Sequence, residues 1–364
     1  MMKYYKRKET RKVSVGGVII GGGNPIVVQS MINTDKADWK AAIRQIKQLE
    51  EAGCEIVRMS LPDMETAQTV SKIKKNIKIP FVADIHFDYR IAIEAIKQGI
   101  DKLRINPGNI GSKEKVEAVV REAKKAHIPI RIGVNAGSLK SAHFLKSELR
   151  SKELVKAAMA HIKILEDLKF YDTIISLKAS DIATTVESYK LFASKRNYPL
   201  HLGITEAGSV FNGNIKSAAG LGILLYDGFG DTIRVSLTAD PVEEIRSAYA
   251  LLQSLDLKSS GIEFISCPTC SRCRIDLIKI VAAVEKAASK IKDLKKVKKP
   301  IKAAMMGCIV NGPGEAKNAD FGIAGGADGE GVIFEGGQII GKVKERYWIK
   351  TILSLIDKTI KERL

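Results

Sequence analysis

The stretch PFVADI (80–85), with the helical pattern RIAIEAIKQG (90–99) behind it and KLRIN (102–106) after that, decides the fold. A short β-branched run, an amphipathic segment and a second β-branched run make one βαβ unit, and such units build parallel sheets. The same alternation extends in both directions. Upstream stand IVVQS (26–30), DWKAAIRQIKQLEEAG (38–53) and EIVRMS (55–60). Downstream stand KEKVEAVVREAKKA (113–126), PIRIGVN (129–135), TIISLK (173–178), HLGIT (201–205), TIRVSL (232–237) and PVEEIRSAYALLQSL (241–255). Eight such units predict an α/β fold, a closed (β/α)8 TIM barrel of about 250 residues rather than an open sheet. Glycines count against only the seventh helix, expected around 213–226. The leading VSVGGVIIGGG (13–23) reads as a hairpin ahead of the barrel, because its glycines lack the spacing of a dinucleotide or phosphate loop.

At 364 residues the chain suits two domains. The composition shifts between Ser259 and Glu263, so the barrel is placed at 1–258 and a smaller α+β domain at 259–364. That second domain carries a helix through DLIKIVAAVEKAASKIKDL (276–294), a strand KAAMMG (302–307) and strand-like VIFEGG (332–337) and QIIGKVK (338–344). The opening MMKYYKRKETRK has no apolar core of a signal peptide, and no later run nears the roughly 18 apolar residues of a membrane span, so a cytoplasmic protein without a membrane partner is expected. The net charge of +18 raises nucleic acid as a partner. Much of that excess is lysine, as in KIKDLKKVKKP (290–300), without interleaved aromatics or a reading motif, and nucleic acid is set aside. An acidic redox protein suits a basic exterior better, since complementary fields speed encounter.

Function shows first at the strand ends. The C-terminal portions of the expected strands bear Arg58, Asp84 and His86, Arg104 and Asn106, Arg131 and Asn135, Lys178, Thr205 and Glu206, and Arg234 and Ser236. That end of a barrel is where active sites sit. Cations recurring on five strands predict a bound anion, because an isolated buried charge costs several kcal/mol. Arginine's planar fork of donors suits a phosphate.

The second signal is sulfur. Cys267-Pro-Thr-Cys270 and Gly307-Cys308-Ile-Val-Asn-Gly-Pro-Gly-Glu315 gather thiols and a carboxylate in the second domain, while Cys54 reads as a small buried hydrophobe. Five cysteines are too few for a disulfide framework in so long a chain, and four of them cluster at 267, 270, 273 and 308. Thiolates in this spacing hold zinc or an iron–sulfur cluster. A zinc site wants a second close pair, Cys308 has none beside it, and all five histidines lie upstream of residue 260, which favours iron. On spacing alone Cys273 completes an all-thiolate set with Cys267, Cys270 and Cys308.

CPTCSR (267–272) and GCIVNGPGEA (307–316), preceded in order by VQSM (28–31), ADIHF (83–87), RINPGNIG (104–111), GVNAGSL (133–139), GITEAG (203–208) and RVSLT (234–238), resemble the 4-hydroxy-3-methylbut-2-enyl diphosphate synthases of the non-mevalonate isoprenoid pathway over nearly the whole chain. The resemblance implies the shorter, two-domain form, with a cluster domain similar to that of sulfite and nitrite reductases. It implies a 4Fe-4S cluster on Cys267, Cys270, Cys308 and Glu315, with position 273 commonly not cysteine in the family. It implies 2-C-methyl-D-erythritol 2,4-cyclodiphosphate as substrate, held by Arg58, Arg104, Arg131, Lys178, Arg234, Ser236, Asn106 and Asn135. Asp84, His86, Thr205 and Glu206 then lie near the substrate, with Glu206 the acid/base. Flavodoxin or ferredoxin is the implied electron donor, and a head-to-tail homodimer the implied assembly.

Two other classes compete. A pterin-type barrel transferase with a merely structural metal domain would show similar phosphate-binding strand ends. A basic scaffold for nucleic acid would show affinity falling steeply with salt and no dependence on iron.

Overall fold

The computed structural model describes residues 6–106, 110–138, 146–258, 261–273, 275–291, 293–294, 297, 299–310, 314, 316–326 and 329–364. The chain divides into two compact units, Met1–Lys258 and Ser259–Leu364.

The first unit opens on a hairpin, β1 (Val13–Val15) and β2 (Val18–Ile20), as its sequence predicts. Eight parallel strands follow: β3 (Val27–Met31), β4 (Ile56–Leu61), β5 (Phe81–Ile85), β6 (Lys102–Ile105), β7 (Ile130–Asn135), β8 (Thr173–Lys178), β9 (His201–Leu202) and β10 (Thr232–Ile233). Each pairs with the next from β3 to β8, and β10 lies between β9 and β3. The last seam, between β8 and β9, is joined by a bridge from Ile175 to Leu200. Beside it the Tyr189 hydroxyl donates to the His201 carbonyl at 2.5 Å and accepts from the Leu177 amide at 3.1 Å, standing in for ladder bonds the short strands do not make. The sheet is therefore the expected TIM barrel.

Helices cover its outside: α1 (Trp39–Ala52), α2 (Met64–Gln68), α3 (Val70–Lys74), α4 (Tyr89–Lys97), α5 (Lys113–Lys125), α6 (Ser147–Asp167), α7 (Ile182–Ala193), α8 (Val210–Tyr226) and α9 (Pro241–Ser254). Asp38, Asp63, Asp88, Asp181 and Asp240 each cap a helix by accepting from a first-turn amide, a contact that contributes about 1 kcal/mol. The seventh helix, α8, begins ahead of its expected start despite its glycines. They serve close packing: a methyl at Gly213 would lie 2.6 Å from Leu237, and one at Gly220 2.7 Å from Ile204.

Side-chain parity fixes which residues face the barrel interior. Val27, Ile56, Val82 and Ile174 form an apolar layer with Val13, Val15 and Ile20 of the hairpin, which closes the N-terminal end. Two residues further along each strand, the period of two brings up Gln29, Arg58, Asp84 and Ser176 on the same face. Polar groups thus fill the barrel above an apolar floor.

The second unit is a five-stranded sheet in the order β11 (Ile262–Ser266), β12 (Ile301–Met306), β13 (Phe321–Gly325), β14 (Glu330–Glu335), β15 (Gln338–Lys344). The first three strands are parallel and the last two antiparallel. Helices α10 (Leu277–Ala288) and α11 (Trp348–Arg363) bury Leu277, Ile280, Val284, Trp348, Ile352 and Ile356 with Ile301, Ala303 and Met305. The sequence predicts the α10 helix and strands at β12, β14 and β15, but not β11, β13 or α11.

Candidate active site

Asp84, on β5, is the centre of the barrel mouth. Its carboxylate lies 3.0 Å from Arg104 Nη1 and 3.4 Å from Arg58 Nε, with His86 Nε2 at 3.4 Å. Arg104 Nη1 also approaches His86 Nε2 at 3.3 Å. Burial pushes the Asp84 carboxyl up, but Arg58, the His86 hydrogen bond, Arg104 and Arg131 together hold it well below the ordinary carboxylate range. It stays ionised as the shared counter-charge.

One carboxylate does not balance what surrounds it. Arg131 is buried on β7, and burial, then the charges of Arg58 and Arg104, push its guanidinium well below its ordinary value. Burial, then the charges of Arg131, Arg58, Arg234 and Arg104, push Lys178, at the end of β8, down as well. Arg58 is held down to about 10 by burial first, with Asp84 opposing and Arg234 and Arg104 adding to it. The Nε atoms of Arg104 and Arg131 are buried with no hydrogen-bond partner among the described residues. Among the described residues five cations, on β4, β6, β7 and β8 and just beyond β10, face two carboxylates, Asp84 and Glu244. A site of this kind is completed by an anion of more than one charge.

Two glycines make room for these cations. A methyl group at Gly133 would lie 2.7 Å from Arg104 Nε, and one at Gly203 2.5 Å from Lys178 Nζ. Both open motifs of the sequence, GVNAGSL and GITEAG, and the close approach of a cation is the steric reason for a glycine there.

Asn106 is buried just past β6, Asn135 ends β7, and Thr205 and Ser236 are half-buried beyond β9 and β10. Glu206 is exposed and sits at φ +54°, a left-handed conformation that side chains with a Cβ rarely adopt. Among the described residues six non-glycines share that region. His127, Lys169 and Asp256 terminate helices; Phe87, Glu206 and Thr269 lie beside His86, in the loop after β9 and between Cys267 and Cys270. Strain of this kind collects at working sites.

Sequence reasoning missed several groups. Met31, at the end of β3, places its sulfur 3.0 and 3.2 Å from Arg58 nitrogens and 3.7 Å from Arg234 Nη1. Lys102 and His201 are fully buried lower in the barrel, with Lys102 Nζ and His201 Nε2 unpartnered among the described residues. Alternation from Arg104 back to Lys102 was the available signal. Glu244, on α9, carried none.

In the second unit Ser266 pairs with Met305, so Cys267 and the Gly307-Cys308 turn leave neighbouring parallel strands at the same end. The Gly307 amide donates to Cys267 Sγ at 3.3 Å, a bond that favours a thiolate. A methyl at Gly307 would lie 2.6 Å from Cys273 Sγ and 3.4 Å from Cys267 Sγ, so both sulfurs stand over one glycine. Cys273 donates to the Ile275 carbonyl at 3.3 Å. Cys270 is exposed, and Glu315 lies outside the described residues. Among the described residues no three His, Cys, Asp or Glu side chains converge on a single-ion site. The chemistry of the donor set, soft thiols at two adjoining turns, fits an iron–sulfur cluster.

Among the described residues no helix is long and apolar enough to cross a membrane. Residues 10–249 match the family described as GcpE TIM-barrel domain, and residues 263–358 match GcpE protein C-terminal domain. A Clostridium acetobutylicum protein named 4-hydroxy-3-methylbut-2-en-1-yl diphosphate synthase (flavodoxin) is 56% identical over 353 residues, covering 97% of this chain and 99% of that one. A Thermodesulfovibrio yellowstonii protein of the same name is 55% identical, again over 97% and 99%. Among solved structures, dihydropteroate synthase from Stenotrophomonas maltophilia superposes with a TM-score of 0.52 at 13% identity, over 68% of this chain and 98% of that one. That likeness is one of fold alone and gives the pterin-transferase reading no support in chemistry.

Proposed function

Because the chain belongs to the GcpE family of 4-hydroxy-3-methylbut-2-en-1-yl diphosphate synthases, we propose that the anion its barrel mouth accepts is 2-C-methyl-D-erythritol 2,4-cyclodiphosphate. The protein is an iron–sulfur oxidoreductase of the non-mevalonate isoprenoid route and forms 4-hydroxy-3-methylbut-2-enyl diphosphate. The substrate assignment is carried by the excess of buried cations over Asp84 and Glu244. Charge-assisted hydrogen bonds contribute roughly 1.5–3 kcal/mol each, so a few of them hold a compact diphosphate firmly.

In this reading Arg58, Arg104, Arg131, Lys178 and Arg234, with Ser236, Asn106 and Asn135, hold the phosphates and hydroxyls. Asp84 and His86 orient Arg58 and Arg104 toward the substrate, and Thr205 lines the wall beside Glu206. Glu206 donates a proton to the leaving oxygen. Overall, two electrons and two protons enter, the ring C–O bond breaks and one hydroxyl leaves as water. Cys267, Cys270, Cys308 and Glu315 are assigned to a 4Fe-4S cluster, which supplies the electrons when bound. Glu315 is assigned from its motif. Flavodoxin or ferredoxin is the donor in keeping with the basic surface, and a head-to-tail homodimer is the assigned assembly.

The test is anaerobic purification with iron and sulfide analysis, then turnover of the cyclic diphosphate with an artificial reductant. About four irons per chain and formation of the linear diphosphate are expected. A folded protein that takes up no iron, or a brown protein that leaves the cyclic diphosphate intact, refutes the reading.

A further inference from the structure

Glu244 makes more contacts in the barrel mouth than any role assigned so far requires. It lies near the N-terminal end of α9 and is 3% exposed. Its Oε2 accepts from Arg234 Nε at 3.1 Å and its Oε1 from Arg234 Nη2 at 3.0 Å, two parallel bonds to one guanidinium. Oε2 also accepts from Ser30 Oγ at 2.8 Å, and Oε1 from the Leu237 amide at 3.2 Å. Four donors fill the roughly four lone-pair positions of a carboxylate. One side chain therefore ties α9 to β3 and to both ends of the 234–237 segment, which carries Ser236 between them.

The clamp also decides which part of Arg234 remains available. With Nε and Nη2 held by Glu244, Nη1 is the nitrogen left over, and it approaches Met31 Sδ, the atom Arg58 also approaches. We infer that Glu244 is a positioning residue of the anion site, orienting Arg234 and the 234–237 segment for the diphosphate. The inference rests on reading the mouth as the diphosphate site.

The sign of the effect separates this role from a bland one. A carboxylate beside an anion site repels the anion. If Glu244 only balanced charge, Glu244→Gln would add a net positive charge and tighten binding. A clamp predicts the reverse. Gln has one accepting oxygen, and its Nε2 only donates, so it cannot make the two parallel bonds; Arg234 loses its orientation and binding weakens.

The experiment is equilibrium binding of the cyclic diphosphate to anaerobically purified enzyme for the parent, Glu244→Gln, Arg234→Gln and the double variant, with cluster absorbance and melting temperature recorded for each. Glu244→Gln is expected to bind about ten-fold or more weakly, the loss of one well-made charge-assisted bond. The double variant should bind no worse than Arg234→Gln, and turnover at saturating substrate should stay within about two-fold for Glu244→Gln, since uniform binding alone is lost. Equal or tighter binding by Glu244→Gln with weakened Arg234→Gln overturns the inference, as do losses that multiply in the double variant. If Arg234→Gln binds as the parent does, the diphosphate reading of this strand fails and takes the inference with it. Should Glu244→Gln not fold, Glu244→Asp keeps the charge but not the reach: a clamp predicts weaker binding, and parental affinity overturns it.

Discussion

The Asp84 carboxylate lies 3.0 Å from the Arg104 guanidinium in the buried mouth of the barrel, and it is shared with Arg58 at 3.4 Å. One anion thus restrains two cations that would otherwise repel each other and Arg131. Asp84→Asn keeps the shape and removes the charge. Breaking a buried pair costs about 3–5 kcal/mol, so the melting temperature should fall by roughly 10 °C, and inorganic pyrophosphate should restore part of the loss by supplying the missing anion. An unchanged melting temperature refutes the pairing.

The same residue sets an acid limb. Its folded pKa is depressed, so its contribution is present above the unfolded carboxylate value near about 4 and is lost as pH falls below that value. Melts between about pH 2 and 7 should show a steeper acid decline for the parent than for Asp84→Asn. Parallel curves count against a charged Asp84.

Gly203→Ala tests the steric cradle. The added methyl would stand 2.5 Å from Lys178 Nζ, the far end of a flexible side chain, so the fold can adjust while the ammonium is displaced. Substrate affinity should drop about ten-fold, the value of one charge-assisted bond, with at most about 1–3 kcal/mol lost in stability. Binding equal to the parent's shows that Lys178 does not need this position.

Glu206 combines exposure with a left-handed backbone, which points to strain retained for chemistry. Glu206→Gln should bind substrate normally and turn over about 10²- to 10⁴-fold more slowly. Glu206→Gly should be as slow, yet more stable by up to about 1 kcal/mol, because glycine adopts positive φ without cost. A Gln variant within a few-fold of the parent removes the proton-transfer role.

The barrel was legible because short strand-like runs and helical patterns alternate eight times, and because on KLRI charged and apolar residues alternate with the period of a strand. The strands HLGIT and TIRVSL were expected longer than His201–Leu202 and Thr232–Ile233. Beyond Leu202 the chain still meets its neighbour, with the Arg234 amide donating to the Leu202 carbonyl, but Gly203 then stands against Lys178 and the regular ladder ends. Site chemistry overrides strand propensity there. The cations were legible as strand-end residues, since period two determines their face. Glu244 was not, because a carboxylate ten residues from its arginine on an ordinary helix carries no pattern. The Tyr189 hydroxyl was invisible for a related reason: a helix-borne phenol repairs a seam that only the three-dimensional barrel has.

The cysteines provide the last test. Cys267 and Cys308 leave adjoining parallel strands, and Cys270 follows Cys267 through a turn with Thr269 at φ +66°. Cys267→Ser, Cys270→Ser and Cys308→Ser should each lose the cluster's absorption and iron. Cys273 stands over the same glycine as Cys267, yet its thiol donates to the Ile275 carbonyl, a bond that a thiolate ligand would have to give up. Serine keeps that donor, so Cys273→Ser should retain iron and turnover close to the parent's. Gly307→Ala would press on Cys273 Sγ at 2.6 Å while leaving Cys267 Sγ in ordinary van der Waals contact at 3.4 Å, so it should displace Cys273 and leave iron close to the parent's. Iron lost from Cys273→Ser to the same extent as from the other three would establish an all-thiolate cluster and remove Glu315 from the ligand set.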